Sequence, residues 1–214
     1  DETTPKMMEL LERVKKIAKG AALMTETKVK TKILAGVSNL VYNETLGNVM
    51  QSNLDQLGTP EFSKEEKLYA KKYQDTLSRK DIESAYSHAG IDIVEGQVLA
   101  ESVVSGDIKP VDMGGSTDVA DVSWVVPTVS LWGANYAIGT PFHSWQMTAQ
   151  GKSSIAIKGM THAAMVMAAT GSDLMSNKKI LDDAWSEHHK TIEKEGYMLP
   201  ISLSASPPIK DMAP

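Results

Sequence analysis

The sequence predicts an α/β protein, a sheet flanked by helices, with a smaller helix-and-strand piece at its N-terminal end. Three observations carry that expectation. Apolar residues recur at three- and four-residue spacing in several separate windows, the mark of amphipathic helices. Residues 28–34 alternate lysine with Val29, Thr31 and Ile33, a period of two that gives a strand one wet and one buried face. Residues 122–139, "VSWVVPTVSLWGANYAIG", form a nearly uncharged hydrophobic run that reads as one or two buried strands interrupted at Pro127.

Each element has its own signal. Residues 5–20 read as a helix with Thr4 as N-cap, Pro5 at the first helical position, Met7, Leu10, Leu11, Val14 and Ile17 on one side and Gly20 as the stop. The lysine-striped strand follows, its charges discouraging stray edge pairing. Leu46, Val49, Met50, Leu54 and Leu57 mark a helix over 44–57 that ends at Gly58 and Pro60. Ser63-Lys-Glu-Glu66 has the form of a capping box and opens another helix carrying Leu68, Tyr69, Tyr73 and Leu77. In this setting Glu65 and Glu66 read as surface groups. Residues 79–120 are mixed and turn-rich, with a short strand at 97–104. A Met- and Ala-rich helix follows over 151–175, then a surface helix over 177–196 with Asn177 as its cap, and a proline-punctuated tail.

Composition excludes several classes of function. A net charge of −5 over 214 residues does not suit nucleic-acid binding, which needs a basic face to displace counterions. No apolar run reaches the roughly 18–20 residues of a membrane span, so no membrane partner is expected. The absence of cysteine removes disulfides, thiolate metal sites and cysteine nucleophiles, and it suits a reducing, cytoplasmic setting.

Two short stretches could carry chemistry. In "GGSTDVADVSW" (114–124) the glycines permit close backbone approach, while Ser116, Thr117, Asp118 and Asp121 gather polar atoms; a Gly-Gly turn with an Asx-type cap explains the same residues. In "GTPFHSW" (139–145), His143 follows a turn and precedes a helical run. The other histidines read as background: His88 in a turn, His162 in a helix core or interface, His188 and His189 solvated on a polar helix. A Ser-His-Asp group is formally available from Ser116 or Ser144, His143 and Asp118, but there is no G-x-S-x-G elbow. Nor is there an H-x-D or H-E-x-x-H pair to start a zinc site.

Taken in order, "GSTDVADVSWVVPT" (115–128), "GTPFHSWQ" (139–146) and the small-residue helix after them resemble the C-terminal part of the M20 metallopeptidase and amidohydrolase family. Within it they are most similar to the branch that handles aminobenzoyl-glutamate. "ERVKKIAKGAALMTETKV" (12–29) is similar to the end of that family's inserted lid domain. The resemblance implies a dizinc-peptidase-like catalytic domain, its C-terminal half over residues 43–214, and the last helix and strand of a lid or dimerisation domain over residues 1–42. It implies amide hydrolysis in a small N-acyl amino acid or aminobenzoyl-glutamate-like substrate. Two zinc ions would be held mostly by residues outside this sequence, with manganese or cobalt as alternatives. His143 matches the family's last metal ligand. Gly115, Ser116, Thr117 and Asp118 match a loop beside the site, and Ser144 falls next to the ligand on the substrate side. The general base and the H-x-D motif are absent from these 214 residues, so the resemblance further implies that an N-terminal half supplies them, that this stretch alone is inactive, and that the whole protein is a homodimer. The competing reading is a metal-free assembly module, dimerising through the helix over 5–20 and the strand over 27–34, with a structural His143.

Overall fold

The computed structural model describes residues 3–106, 115–203, 205–206 and 209. Among them the chain forms eight helices: α1 (Thr4–Met24), α2 (Glu44–Leu57), α3 (Lys64–Gln74), α4 (Arg79–Ala89), α5 (Val119–Ser123), α6 (Trp145–Gln150), α7 (Ser154–Ser176) and α8 (Lys178–Glu195). No strand occurs among the described residues. The expected α/β architecture, with its sheet flanked by helices, is therefore corrected to an all-helical one. The chain divides into two compact units, one made of residues 1–43, 115–128 and 185–214, the other of residues 44–114 and 129–184.

The expected strands fail for a physical reason visible at each of them. A strand is completed only when a neighbour satisfies its row of backbone N–H and C=O groups. Residues 28–34 join no strand among the described residues, and Val29, Ile33 and Leu34 are exposed rather than covered on one face. At 97–104 the backbone is engaged one group at a time: the Val98 carbonyl accepts the Ile138 N–H at 2.9 Å, and the Gln97 carbonyl accepts the Gln74 side-chain amide at 3.0 Å. In the run 122–139 the first residues turn into α5 instead. Alternation marks where a sheet face could lie; it does not supply the partner.

Helix signals fare better, because a helix satisfies its own backbone. The Ser63–Glu66 capping box is present in both directions, with Glu66 N–H to Ser63 Oγ at 3.2 Å and Ser63 N–H to Glu66 Oε2 at 2.7 Å. A second box, Ser78–Asp81, starts α4, a helix inside the stretch expected to be turns; Gly90 closes it in the left-handed conformation. Gly20 does not stop α1, which runs on to Met24 because a glycine within a helix costs only about 1 kcal/mol. The expected cap at Thr4 shifts to Thr3, whose side chain makes no capping bond.

In the second unit, Ala70, Val98, Leu99, Ala137 and Ile155 form the core, with Phe62, Tyr69 and Tyr73 packed against it. Helix α2 lies against α7, where Asn53 Nδ2 donates to Asp173 Oδ2 at 2.7 Å. Helix α3 is pinned to α7 by an ion pair: Lys158 Nζ donates to Glu66 Oε2 at 2.7 Å and to the Glu61 carbonyl at 2.9 Å. Glu66 is thus no surface group; it is 8% exposed. The hydrogen bonds from Lys158 and Ser154, with the Ser63 N–H, hold its carboxyl down to about 2 from an ordinary 4.5. Because the folded value is depressed, the stabilisation is present above the ordinary value and is lost as pH falls from about 4.5 towards about 2. Its size is at most about 3 kcal/mol at neutral pH. Glu66→Gln should therefore unfold at lower denaturant than the parent at pH 7, with the gap closing in titrations taken down to pH 2–3; a gap independent of pH would refute the ion-pair account.

In the first unit, α5 is tied to the segment before α2. Ser38 Oγ donates to Asp121 Oδ1 at 2.7 Å, Val41 N–H donates to Ser123 Oγ at 2.8 Å, and Trp124 Nε1 donates to the Asn39 carbonyl at 2.7 Å. Tyr197 stacks on Trp124 and donates its hydroxyl to Asp121 Oδ1 at 3.0 Å. Burial, then the nearby Asp121 carboxylate, raise the Tyr197 pKa.

Candidate functional site

The turn that carries His143 is held from three directions before the histidine is reached. Gly139 has φ of +90°, and a Cβ there would fall 3.0 Å from the Ile82 Cα and 3.1 Å from its backbone nitrogen, so only glycine fits. The Ile138 carbonyl accepts the buried Gln74 side-chain amide at 3.3 Å. From the other side, Gln150, 1% exposed, accepts the Ala137 N–H at 2.8 Å and donates to Thr140 Oγ1 at 3.1 Å. Thr140 in turn donates to the Ala137 carbonyl at 2.7 Å. Gln150→Leu would leave the Ala137 N–H buried and unpaired, at a cost of about 2–3 kcal/mol. Chemical denaturation should show that loss; a variant as stable as the parent would mean the amide does not hold this turn.

His143 itself sits at φ of +58°, one of two non-glycine residues with positive φ among those described. Its side chain is exposed. A left-handed residue carrying a Cβ stores roughly 1–2 kcal/mol of strain, and such residues collect at functional sites. Ser144, immediately after it, has φ of −108° and caps α6. Its hydroxyl donates to the Pro141 carbonyl at 2.7 Å and accepts the Met147 N–H at 3.2 Å. A hydroxyl engaged in both directions is a turn-builder rather than a nucleophile.

The other predicted loop lies in the first unit. Gly115, Ser116, Thr117 and Asp118 are all exposed, and the space around Gly115 is open; Gly114 lies outside the described residues. Thr117 turns the chain into α5, its Oγ1 accepting the Val119 N–H at 3.3 Å and its carbonyl the Ala120 N–H at 3.1 Å. Asp118 occupies the N-cap position without a side-chain capping bond. Asp121, by contrast, is committed to Ser38 and Tyr197. Gly115–Asp118 and His143–Ser144 therefore belong to different units.

The remaining histidines divide differently from the sequence reading. His188 is not solvated: it is 4% exposed, and its Nε2 donates to the Ser123 carbonyl at 2.9 Å, which leaves the buried Nδ1 without a partner. His162 Nε2 is likewise buried and unpaired within α7, although the residue as a whole is half-buried. His88 sits in the last turn of α4 and is exposed, as is His189 on α8.

Zinc requires about three or four ligands at one point. Among the described residues no three His, Asp or Glu side chains are grouped to hold a metal ion. His143 offers a single imidazole, and the described residues do not by themselves group the ligands of a metal site. A polar cleft of about 510 Å³ along α2, lined by Asn48, Gln51, Ser52 and Asp55 and bordered by Ser105 and Gly106, contains none of the predicted site residues. Within it Gln51 donates to Asp55 and to the Val104 carbonyl, and Gln56 donates to Ser52.

What sequence reasoning missed lies around the histidine. Trp132, Phe142 and Trp145 are large aromatics that stay exposed, and Phe142 and Trp145 flank His143 within two residues. Gln74 and Gln150, which place the turn, carried no sequence signal, since a glutamine within a helix reads as surface.

Set against known proteins, the chain is similar to one component of a hydrolase. That relative is a subunit of the p-aminobenzoyl-glutamate hydrolase of Escherichia coli (strain K12), 37% identical over 215 aligned positions that cover 95% of this chain. The chain spans 45% of that relative's length. No family model and no solved structure matches. No helix among the described residues is long and apolar enough to cross a membrane.

Proposed function

We propose that this chain is part of a metal-dependent amidohydrolase of the M20 type, acting in the cytoplasm on an amide bond of a small N-acyl amino acid or aminobenzoyl-glutamate-like substrate. The observation that carries the proposal is His143: an exposed imidazole in a strained left-handed conformation, on a turn fixed by buried glutamines, in a chain 37% identical to part of a hydrolase for such a substrate. His143 supplies one ligand to a site completed, with the general base, by residues outside these 214. The metal, zinc by preference with manganese or cobalt compatible with the same donor types, would polarise the scissile carbonyl and activate water when bound. Gly115–Asp118 form an exposed loop able to contact substrate, and Ser144 keeps the turn that presents His143. The test is His143→Ala in the full-length protein, scored for amide hydrolysis and for metal content after dialysis; retention of both would refute the proposal.

A second reading is supported by α1. Leu10, Val14, Ile17 and Met24 are exposed along one side of it, with Ile17 at 71%. Such a stripe fits assembly, with a second copy or with a different protein chain, through residues 1–42. This reading is compatible with catalysis by the whole protein. It stands alone only if His143→Ala leaves activity intact while Ile17→Glu changes the oligomeric state measured by light scattering.

A further inference from the structure

We propose that Trp132 and Phe142 form an aromatic platform beside His143 that receives the aryl ring of an N-aroyl amino acid substrate, so that the site prefers aromatic over aliphatic acyl groups. The proposal rests on the reading of His143 as a site residue and adds to it the part of the substrate that the turn recognises.

The two rings lie 5.6 Å apart at 47°, yet Trp132 remains 63% exposed and Phe142 48% exposed. An indole left that open, already paired with a second exposed ring, is the kind of surface that binding sites are built on. Phe142 is bonded in sequence to His143, so the platform and the histidine are carried by one turn. Its placement is also preorganised. Pro141 precedes it, the left-handed His143 follows it, and the Ser144 hydroxyl closes the turn on the Pro141 carbonyl. Behind Phe142, Tyr136 stands edge-on at 6.2 Å and 86°, a largely covered ring that fixes the phenyl orientation. The aromatics on the other side of the histidine are differently employed: Trp145 packs on Tyr73, which packs against the core and shares a hydrogen bond with Tyr69 at 3.1 Å. Trp132, by contrast, makes its one ring contact among the described residues with Phe142. The occupant is an aryl ring and not another protein chain because the platform is two rings wide and adjoins a group suited to amide chemistry. The relative's substrate, p-aminobenzoyl-glutamate, carries such a ring on the acyl side of its amide.

The experiment compares two substrates of the full-length protein that share glutamate and differ in the acyl group, p-aminobenzoyl-glutamate and N-acetyl-glutamate. Trp132→Leu and Phe142→Leu should each lower kcat/KM for the aryl substrate by roughly 10–100-fold, mainly through KM, and the acetyl substrate by less than about 3-fold. Trp132→Phe, which keeps a ring, should recover most of the loss. Equal losses on both substrates, or none on either, overturn the platform. His143→Ala separates the two ideas. If it abolishes hydrolysis of both substrates while the Trp132 and Phe142 variants show no aryl selectivity, the platform fails alone. If it is harmless, or if the parent hydrolyses neither substrate, the hydrolase reading fails, and calorimetry with p-aminobenzoate then decides the platform. Binding that Trp132→Leu abolishes supports it; absent or unchanged binding overturns it.

Discussion

His143→Ala in the full-length protein is expected to lower kcat/KM for amide hydrolysis by at least about 100-fold, since loss of partners merely outside a metal's ligand set already costs about 10–100-fold. The backbone conformation adds a control that a purely structural histidine would not pass in the same way. At φ of +58° an alanine keeps the steric penalty of its Cβ, whereas a glycine does not. His143→Gly should therefore be more stable than His143→Ala by about 1 kcal/mol, part of the gain being offset by glycine's freedom in the unfolded chain. Both should be equally inactive. That outcome would separate stability from activity at one position, with the imidazole serving function and the side chain burdening the fold. Urea denaturation of the two variants alongside a hydrolysis assay reads both quantities. If the glycine variant is the less stable one, the left-handed strain is absent; if either variant retains activity, the imidazole is not part of the site.

Gly159→Ala should destabilise the protein by about 2–3 kcal/mol, the cost of forcing extra atoms into a packed position. That sign opposes helix propensity, which favours alanine over glycine by about 1 kcal/mol within a helix. Gly159 lies within α7, and a Cβ there would sit 2.5 Å from the Ala134 carbonyl oxygen, 3.0 Å from the Ala134 carbonyl carbon and 2.7 Å from Asn135 Oδ1. Two of those atoms are backbone and cannot swing aside, so α7 or residues 134–135 must move. The displaced stretch leads from Trp132 into the turn that carries His143. A loss of activity should accompany the loss of stability. Gly20→Ala is the matched comparison, a helical glycine with open space around it, and it should be neutral or stabilising. Similar signs for the two substitutions would mean that propensity, not close approach, governs Gly159.

How much of this was legible depends on how far each signal had to reach along the chain. The capping box at Ser63–Glu66 and the stop at Gly58 are contacts within three or four residues, and each stands where the sequence puts it; α7 starts at Ser154, three residues after the expected 151. The Ser78–Asp81 box that opens α4 is equally local, and it is the signal that marks the unexpected helix between 79 and 89. The strands expected at 28–34, at 97–104 and across 122–139 do not form, because alternation and hydrophobicity say nothing about whether a neighbour will pair.

For the candidate site the division runs along the same line. His143 stood out from its neighbours alone, between a Gly-Thr-Pro turn and a helix start. Its left-handed backbone, the glutamines that brace it and the aromatic pair beside it depend on residues as far along the chain as Gln74 and Gln150, and no local pattern encodes them. Glu66 and His188 make the same point for charge and burial. Each sits on a polar helix, and each became a buried, bonded group only when Lys158 or the Ser123 carbonyl met it in space. Local chemistry thus accounts for the helices, their caps and the one imidazole worth testing. Pairing, burial and the surroundings of that imidazole were settled by long-range packing, because a hydrogen-bond partner or a covering side chain exists only once distant parts of the chain have been brought together.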